Sequence, residues 1–163
     1  MPPKLTPTSK NQLKTKLINS GLNFLKFRPR SIKELTNFLS RKTSNQRLVH
    51  QVIGHIKDLG LVNDQEFATW LANSRLKKNK GTTYIKLELK KFGISSEIIT
   101  ATLASLSNNT KIQSALGYLN KNHSKLLKTP SHLRIYKARQ LLFQRGFDPQ
   151  TTTRAIDESG LGE

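Results

Sequence analysis

The residues able to do chemistry are four histidines, ten carboxylates and a dense run of lysines and arginines. His50 and His55 lie five positions apart, so they do not share a helix face as an i, i+4 zinc pair does. His123 and His132 stand alone, and all four read as solvated or partly packed side chains. The acids are scattered, and no two recommend themselves for general acid–base work. Asn79-Lys80-Gly81-Thr82-Thr83 superficially resembles a phosphate loop. It lacks the GxxxxGK[ST] order and a preceding apolar strand, and reads as a turn between helices. Trp70 could stack on a base, but beside Phe67 and Leu71 it reads as core. The expectation is therefore a protein that is not an enzyme and uses no metal or cofactor.

The basic groups remain. From Arg75 to Lys91 there are seven of them (Arg75, Lys77, Lys78, Lys80, Lys86, Lys90 and Lys91) against one acid, Glu88. Over the whole chain 28 Lys and Arg face 10 Asp and Glu, a net charge of +18. Self-repulsion on that scale destabilises a compact chain and points to a polyanionic partner: DNA, RNA, an anionic membrane surface or an acidic protein groove. No acid precedes Glu34, and none lies between Glu97 and Asp148, where Arg134, Lys137 and Arg145 occur. Because the charge is spread along the chain rather than gathered on one helix with Asn and Gln, sequence-independent, salt-sensitive binding fits better than base readout.

The elements that position these groups are helices in a repeating pattern. Residues 60–94 set the template: a stop at Gly60, a start at Asn63 with Glu66 at the third position, a helix bearing Phe67, Trp70 and Leu71, and a second stop at Gly93. Leu39, Leu89 and Leu142 recur at separations of 50 and 53 residues. In that register Leu35, Ile85 and Ala138 coincide, as do Ile53, Leu103 and Ile156, and Gly93 matches Gly146. A period near fifty marks units that bury their apolar faces on one another. Tyr84 to Lys90 alternates like a strand, but its register with the Ser31–Lys42 helix assigns it to a helix.

The pattern predicts an all-α chain of three tandem three-helix repeats: residues 12–60, 61–107 and 108–163, the last with a short C-terminal tail. Residues 1–11 read as a disordered tail. Leu35, Leu39, Phe67, Trp70, Leu71, Ile85, Leu89 and Leu142 are the expected structural core. Ser31 with Glu34 forms a capping box, Ser95 opens a further helix, and Gly146-Phe147-Asp148-Pro149 is a strong stop and restart. A loose segment is expected up to Lys128-Thr129-Pro130. The absence of cysteine is compatible with the cytosol. No apolar run reaches the ~18–20 residues of a membrane span. The acid-free start, rich in Lys, Ser and Thr, reads as a tail, with a transit peptide as the alternative.

These signatures resemble the RecX regulators of the RecA recombinase. Leu22-Asn-Phe-Leu-Lys-Phe-Arg28-Pro29-Arg30-Ser31-Ile-Lys-Glu34-Leu35 looks like that family's first signature. Leu59-Gly60-Leu61-Val-Asn-Asp64-Gln-Glu-Phe67-Ala68, followed by Trp70, Ser74-Arg75 and Gly81, looks like its second and most specific. Lys91-Phe92-Gly93-Ile94 and Gln144-Arg145-Gly146-Phe147 look like repeat endings. The resemblance covers residues 20–158 and implies an elongated, curved helical array. It also implies a cytoplasmic monomer that binds the RecA–DNA filament in its groove and modulates ATPase, strand exchange and coprotease activity, most readily by inhibition. A basic face of Arg28, Arg30, Arg75, Lys77, Lys78, Lys80, Lys86, Lys90, Lys91, Arg134, Lys137 and Arg145 would meet the filament, with direct contact to single- or double-stranded DNA left open and no membrane partner. Two departures stand out. Thr43 replaces the usual glycine, and Thr151 and Thr152 thin the apolar face of the last helix, which is expected to fray. The alternative is a basic DNA-binding module that acts without RecA.

Overall fold

A computed structural model describes residues 7–161, with side chains from residue 11. Its order is ten helices, with no strand among the described residues: α1 (Pro7–Leu25), α2 (Ile32–Ser40), α3 (Gln46–Asp58), α4 (Asp64–Lys77), α5 (Thr82–Lys91), α6 (Ser96–Ser105), α7 (Asn108–Lys121), α8 (His123–Leu127), α9 (Ser131–Gln144) and α10 (Pro149–Glu158). The chain divides into two compact units, Met1–Phe67 and Ala68–Glu163.

In the first unit α1, α2 and α3 pack on one another. The stripe Leu48, Val49, Val52, Ile53 and Ile56 of α3 meets Leu35 and Leu39 of α2 and Leu17 of α1 in one core. Helices α2 and α3 start where a side chain can accept from their first free amides. Ser31 Oγ accepts from the Glu34 amide at 3.1 Å, the Glu34 carboxylate accepts from the Ser31 amide at 3.2 Å, and Asn45 caps α3. Helix α1 begins at Pro7, inside the stretch expected to be a tail; the rest of that tail, residues 1–6, lies outside the described residues.

In the second unit α7, α9 and α10 form a core of Ile112, Ala115, Leu119, Ala138, Leu141, Leu142, Phe147, Ala155 and Ile156. The loose segment expected before Pro130 contains α8, whose Leu126 is fully buried in that core. The fraying expected of α10 is also corrected. Thr151 and Thr152 are buried, and Thr151 is held by Asp148, which accepts from its amide at 2.9 Å and its hydroxyl at 2.8 Å. A threonine whose hydroxyl is bonded locally can sit on a buried face without an orphaned polar group. Tyr84 to Lys90 lies in α5, with Ile85 and Leu89 fully buried and Leu87 exposed, the distribution a helix requires.

The start of α5 is bolted to the end of α9. The Gly81 amide donates to the Arg145 carbonyl at 2.9 Å and the Thr83 amide donates to the Gly146 carbonyl at 3.0 Å. Such close backbone approach leaves no room for side chains. A Cβ on Gly81 would collide with the Gly146 carbonyl and Phe147 amide, and one on Gly146 would lie 2.7 Å from the Tyr84 nitrogen. Gly146 also has φ +83°, where an L-residue is strained.

Gly146→Ala therefore combines left-handed strain of about 1–2 kcal/mol with a collision costing about 1–3 kcal/mol. Gly160→Ala has φ +65° but open space around it, so only the strain applies. Urea unfolding should give Gly146→Ala the clearly larger loss; equal losses would mean that the joint is not packed as described.

Candidate functional site

The twelve cations expected to form one basic face fall into different physical classes. Arg28 and Arg30 converge on Glu34: Arg28 Nη2 donates at 2.6 Å and Nη1 at 3.2 Å, and Arg30 Nη1 donates at 3.3 Å. Glu34 is also the partner of the capping box, so a single carboxylate ties the end of α1 to the start of α2. Arg30 additionally stacks 4.1 Å above the Phe24 ring, which lies 4.2 Å from Phe38 in parallel. The R-P-R-S-x-x-E sequence is thus a corner that builds itself. Its arginines are architectural before they are available to any partner.

Asp64 reinforces the same corner. At the first position of α4, it accepts from the Ile32 amide at 2.8 Å, satisfying a donor at the start of α2. Burial pushes the Asp64 carboxyl up, outweighing the Ile32 hydrogen bond and the attraction of Lys57. For Glu34 burial is also the largest single influence, and it too acts upward. The hydrogen bonds from Arg28, Ser31 and Arg30, with the Arg28 charge, together overcome it and hold the group below its ordinary value.

In the second unit the lone acid of the basic run is used the same way. Arg75 grips Glu88 in a two-pronged fork, Nε to Oε2 at 2.7 Å and Nη2 to Oε1 at 2.6 Å, joining α4 to α5. That hydrogen bond raises the Arg75 pKa further. The turn between the two helices is set by Asn79, buried at φ +55°, a conformation asparagine tolerates better than most residues. Its amide nitrogen donates to the Ser114 carbonyl at 2.8 Å, and its oxygen accepts from Lys121 Nζ at 2.7 Å. Ser114 Oγ in turn donates to the Leu76 carbonyl at 2.7 Å. Asn79-Lys80-Gly81-Thr82-Thr83 is accordingly a helix-to-helix turn.

Around this turn Lys80 lies 4.2 Å above the Tyr84 ring and Arg145 4.4 Å above Tyr118. Burial lowers the Lys80 pKa, and repulsion from Arg145 and Arg75 adds to it, partly offset by Glu88. Lys137 is half-buried and donates to Gln140 at 3.1 Å, and Arg134 is half-buried with its Nε enclosed. Lys77, Lys78, Lys86, Lys90 and Lys91 are exposed. Beside them an open groove of about 610 Å³ is lined by Tyr84, Leu87, Glu88, Lys90, Lys91 and Phe92.

Of the expected core residues, Leu35, Leu39, Phe67, Leu71, Ile85, Leu89 and Leu142 are buried, whereas Trp70 is only half-buried, a correction to its core assignment. The roles of Asn79, Ser114 and Lys121 were not read from the sequence; the Asn-Lys-Gly order is the one signal of a left-handed turn there. Among the described residues no group of three or more His, Cys, Asp or Glu could hold a metal ion, and no helix is long and apolar enough to cross a membrane.

Comparison with known proteins agrees with this arrangement. A family model described as "RecX, second three-helix domain" matches residues 63–103. The regulatory protein RecX of Bacillus velezensis is 30% identical over 145 residues, covering 88% of this chain and 55% of that protein. The one from Clostridioides difficile is 29% identical over 157 residues, 95% of this chain and 73% of its own length. The chain thus spans about half the length of the Bacillus relatives it matches. The crystal structure of RecX from Lactobacillus salivarius has the same fold, with a TM-score of 0.82 over 93% of this chain and 99% of that one, at 24% identity.

Glu34 generates a prediction about pH. A carboxyl held below its ordinary value in the folded state stabilises above its unfolded pKa, and that contribution is lost as pH falls through the folded pKa. Glu34→Gln should therefore cost about 1–3 kcal/mol at neutral pH. In urea titrations its deficit relative to the native sequence should shrink on acidification below the usual carboxylate range. A deficit that stays constant into strong acid would show that charge at Glu34 is not what closes the corner.

Proposed function

We propose that the chain is a RecX-type, non-enzymatic regulator that binds the RecA–DNA filament in its helical groove and restrains filament activity. The observation that carries this reading is the likeness to regulatory proteins named RecX along 88% of the chain. The exposed lysines of the second unit supply the means. Lys77 and Lys78 where α4 ends and Lys86, Lys90 and Lys91 on α5 are exposed and present positive charge to solvent. A filament groove lined by acidic side chains or by DNA phosphates would attract them. To inhibit, the protein must bind a stalled, capped or dissociating filament more tightly than the active one, since equal affinity shifts no equilibrium.

A second reading, a basic DNA-binding module acting alone, draws on the net charge of +18. It requires tight binding to filament-free DNA with a steep salt dependence.

The experiment is to replace Lys77, Lys78 and Lys86 together by Gln and measure association with assembled RecA filaments. Lys80 is left in place because it packs on Tyr84. Surface substitutions of this kind cost little stability, so folding should be retained. Binding should weaken at least about tenfold, or ~1.4 kcal/mol. Unchanged binding would remove these lysines from the interface.

A further inference from the structure

Helix α9 turns its apolar residues in two opposite directions. Ala138, Leu141 and Leu142 face the core. At 100° per residue, His132, Leu133, Tyr136, Arg139, Gln140 and Phe143 fall on the opposite side of the helix. Tyr136 is 68% exposed and Phe143 78%. Two large rings thus point away from the core, and Arg139 lies between them along the helix. No acid occurs anywhere from Ile98 to Phe147, so nothing on α9 or on the helix before it offsets these cations.

We propose that this outward face of α9 is a platform for single-stranded DNA, with Tyr136 and Phe143 stacking on bases and Arg139 meeting the phosphate between them. Surfaces that hold single strands pair a cationic track with aromatic rings, because every base offers a π-face and every linkage a charge. Seven residues along a helix separate the rings by ~10.5 Å, which is close to three stacked nucleotides at ~3.4 Å each. Charge complementarity selects a polyanion over an apolar protein groove, and the rings select one with unpaired bases over a duplex. His132 and Gln140 flank the track as further polar contacts. The platform is distinct from the lysines of α4 and α5, and its binding is measured without RecA, so it stands or falls separately from the filament reading.

The test uses the full chain and a fluorescent dT oligonucleotide, with an abasic oligonucleotide of the same length as the phosphate-only control. The native protein should prefer the dT strand. Tyr136→Ala and Phe143→Ala should each weaken dT binding roughly 5- to 150-fold (~1–3 kcal/mol per stacked base) while leaving abasic binding unchanged. The double variant should bind both strands alike, with an unchanged salt slope. Arg139→Gln should instead lower the salt slope by about 0.7. All these positions are exposed, and circular dichroism checks that the fold persists. The proposal is overturned if the native protein binds dT and abasic strands equally, or if the double variant keeps the preference. It is also overturned if the aromatic substitutions weaken binding to DNA-free RecA and spare the dT strand, which would make the face a protein-docking surface. A uridine strand bound as tightly as dT would extend the platform to RNA, since the rings and the cation ask only for unpaired bases on a phosphate chain.

Discussion

The second unit depends on two backbone hydrogen bonds, from the amides of Gly81 and Thr83 to the carbonyls of Arg145 and Gly146. They fasten the first turn of α5 to the last turn of α9 at a distance only two glycines permit. Once that contact is made, Asn79 is enclosed against Ser114 and Lys121, and Lys80 is brought beside Arg145. The orientation of the whole basic run follows, because α5 cannot rotate about its axis while its first amides are committed. An orphaned amide at a buried helix start would cost as much as a lost hydrogen bond, so another helix's closing carbonyls are an effective substitute for a cap.

A chain with this excess of positive charge must decide which cations it can use for itself. The few acids are placed where they organise several donors at once: Glu34 serves Arg28, Arg30 and the Ser31 amide, and Glu88 takes both prongs of Arg75. Those positions are arginines, whose planar forks suit shared carboxylates and stacking on rings such as Phe24 and Tyr118. The exposed positions of the run are lysines, whose point charges on flexible stems suit a partner contacted loosely and through salt-sensitive attraction.

Much of the fold was legible because its signals are local. The capping box at Ser31, the cap at Asn45, the Asp148-Pro149 restart and the buried columns through Leu39, Leu89 and Leu142 all stand in the structure as the residue types require. The strand-like alternation at Tyr84 to Lys90 resolved to a helix because repeat register outweighs a seven-residue pattern. What remained hidden depends on distant partners. Thr151 and Thr152 look too polar to bury until Asp148 is seen to bond Thr151, and α8 is short enough that only the burial of Leu126 explains it. For the candidate site, sequence identified the cations but treated them as equivalent. Which are ion-paired, stacked or exposed is decided by contacts such as Arg75 with Glu88, thirteen residues away, and Lys121 with Asn79, forty-two residues away.

We propose that this chain, similar to regulatory proteins named RecX, acts on the RecA filament rather than by coating DNA. RecA's DNA-dependent ATPase, measured while the chain is titrated in and alongside its binding to the same DNA without RecA, tests that most directly. Loss of ATPase at concentrations too low to cover the DNA is the predicted result. Loss only when the DNA is saturated would contradict it and identify simple competition for the strand.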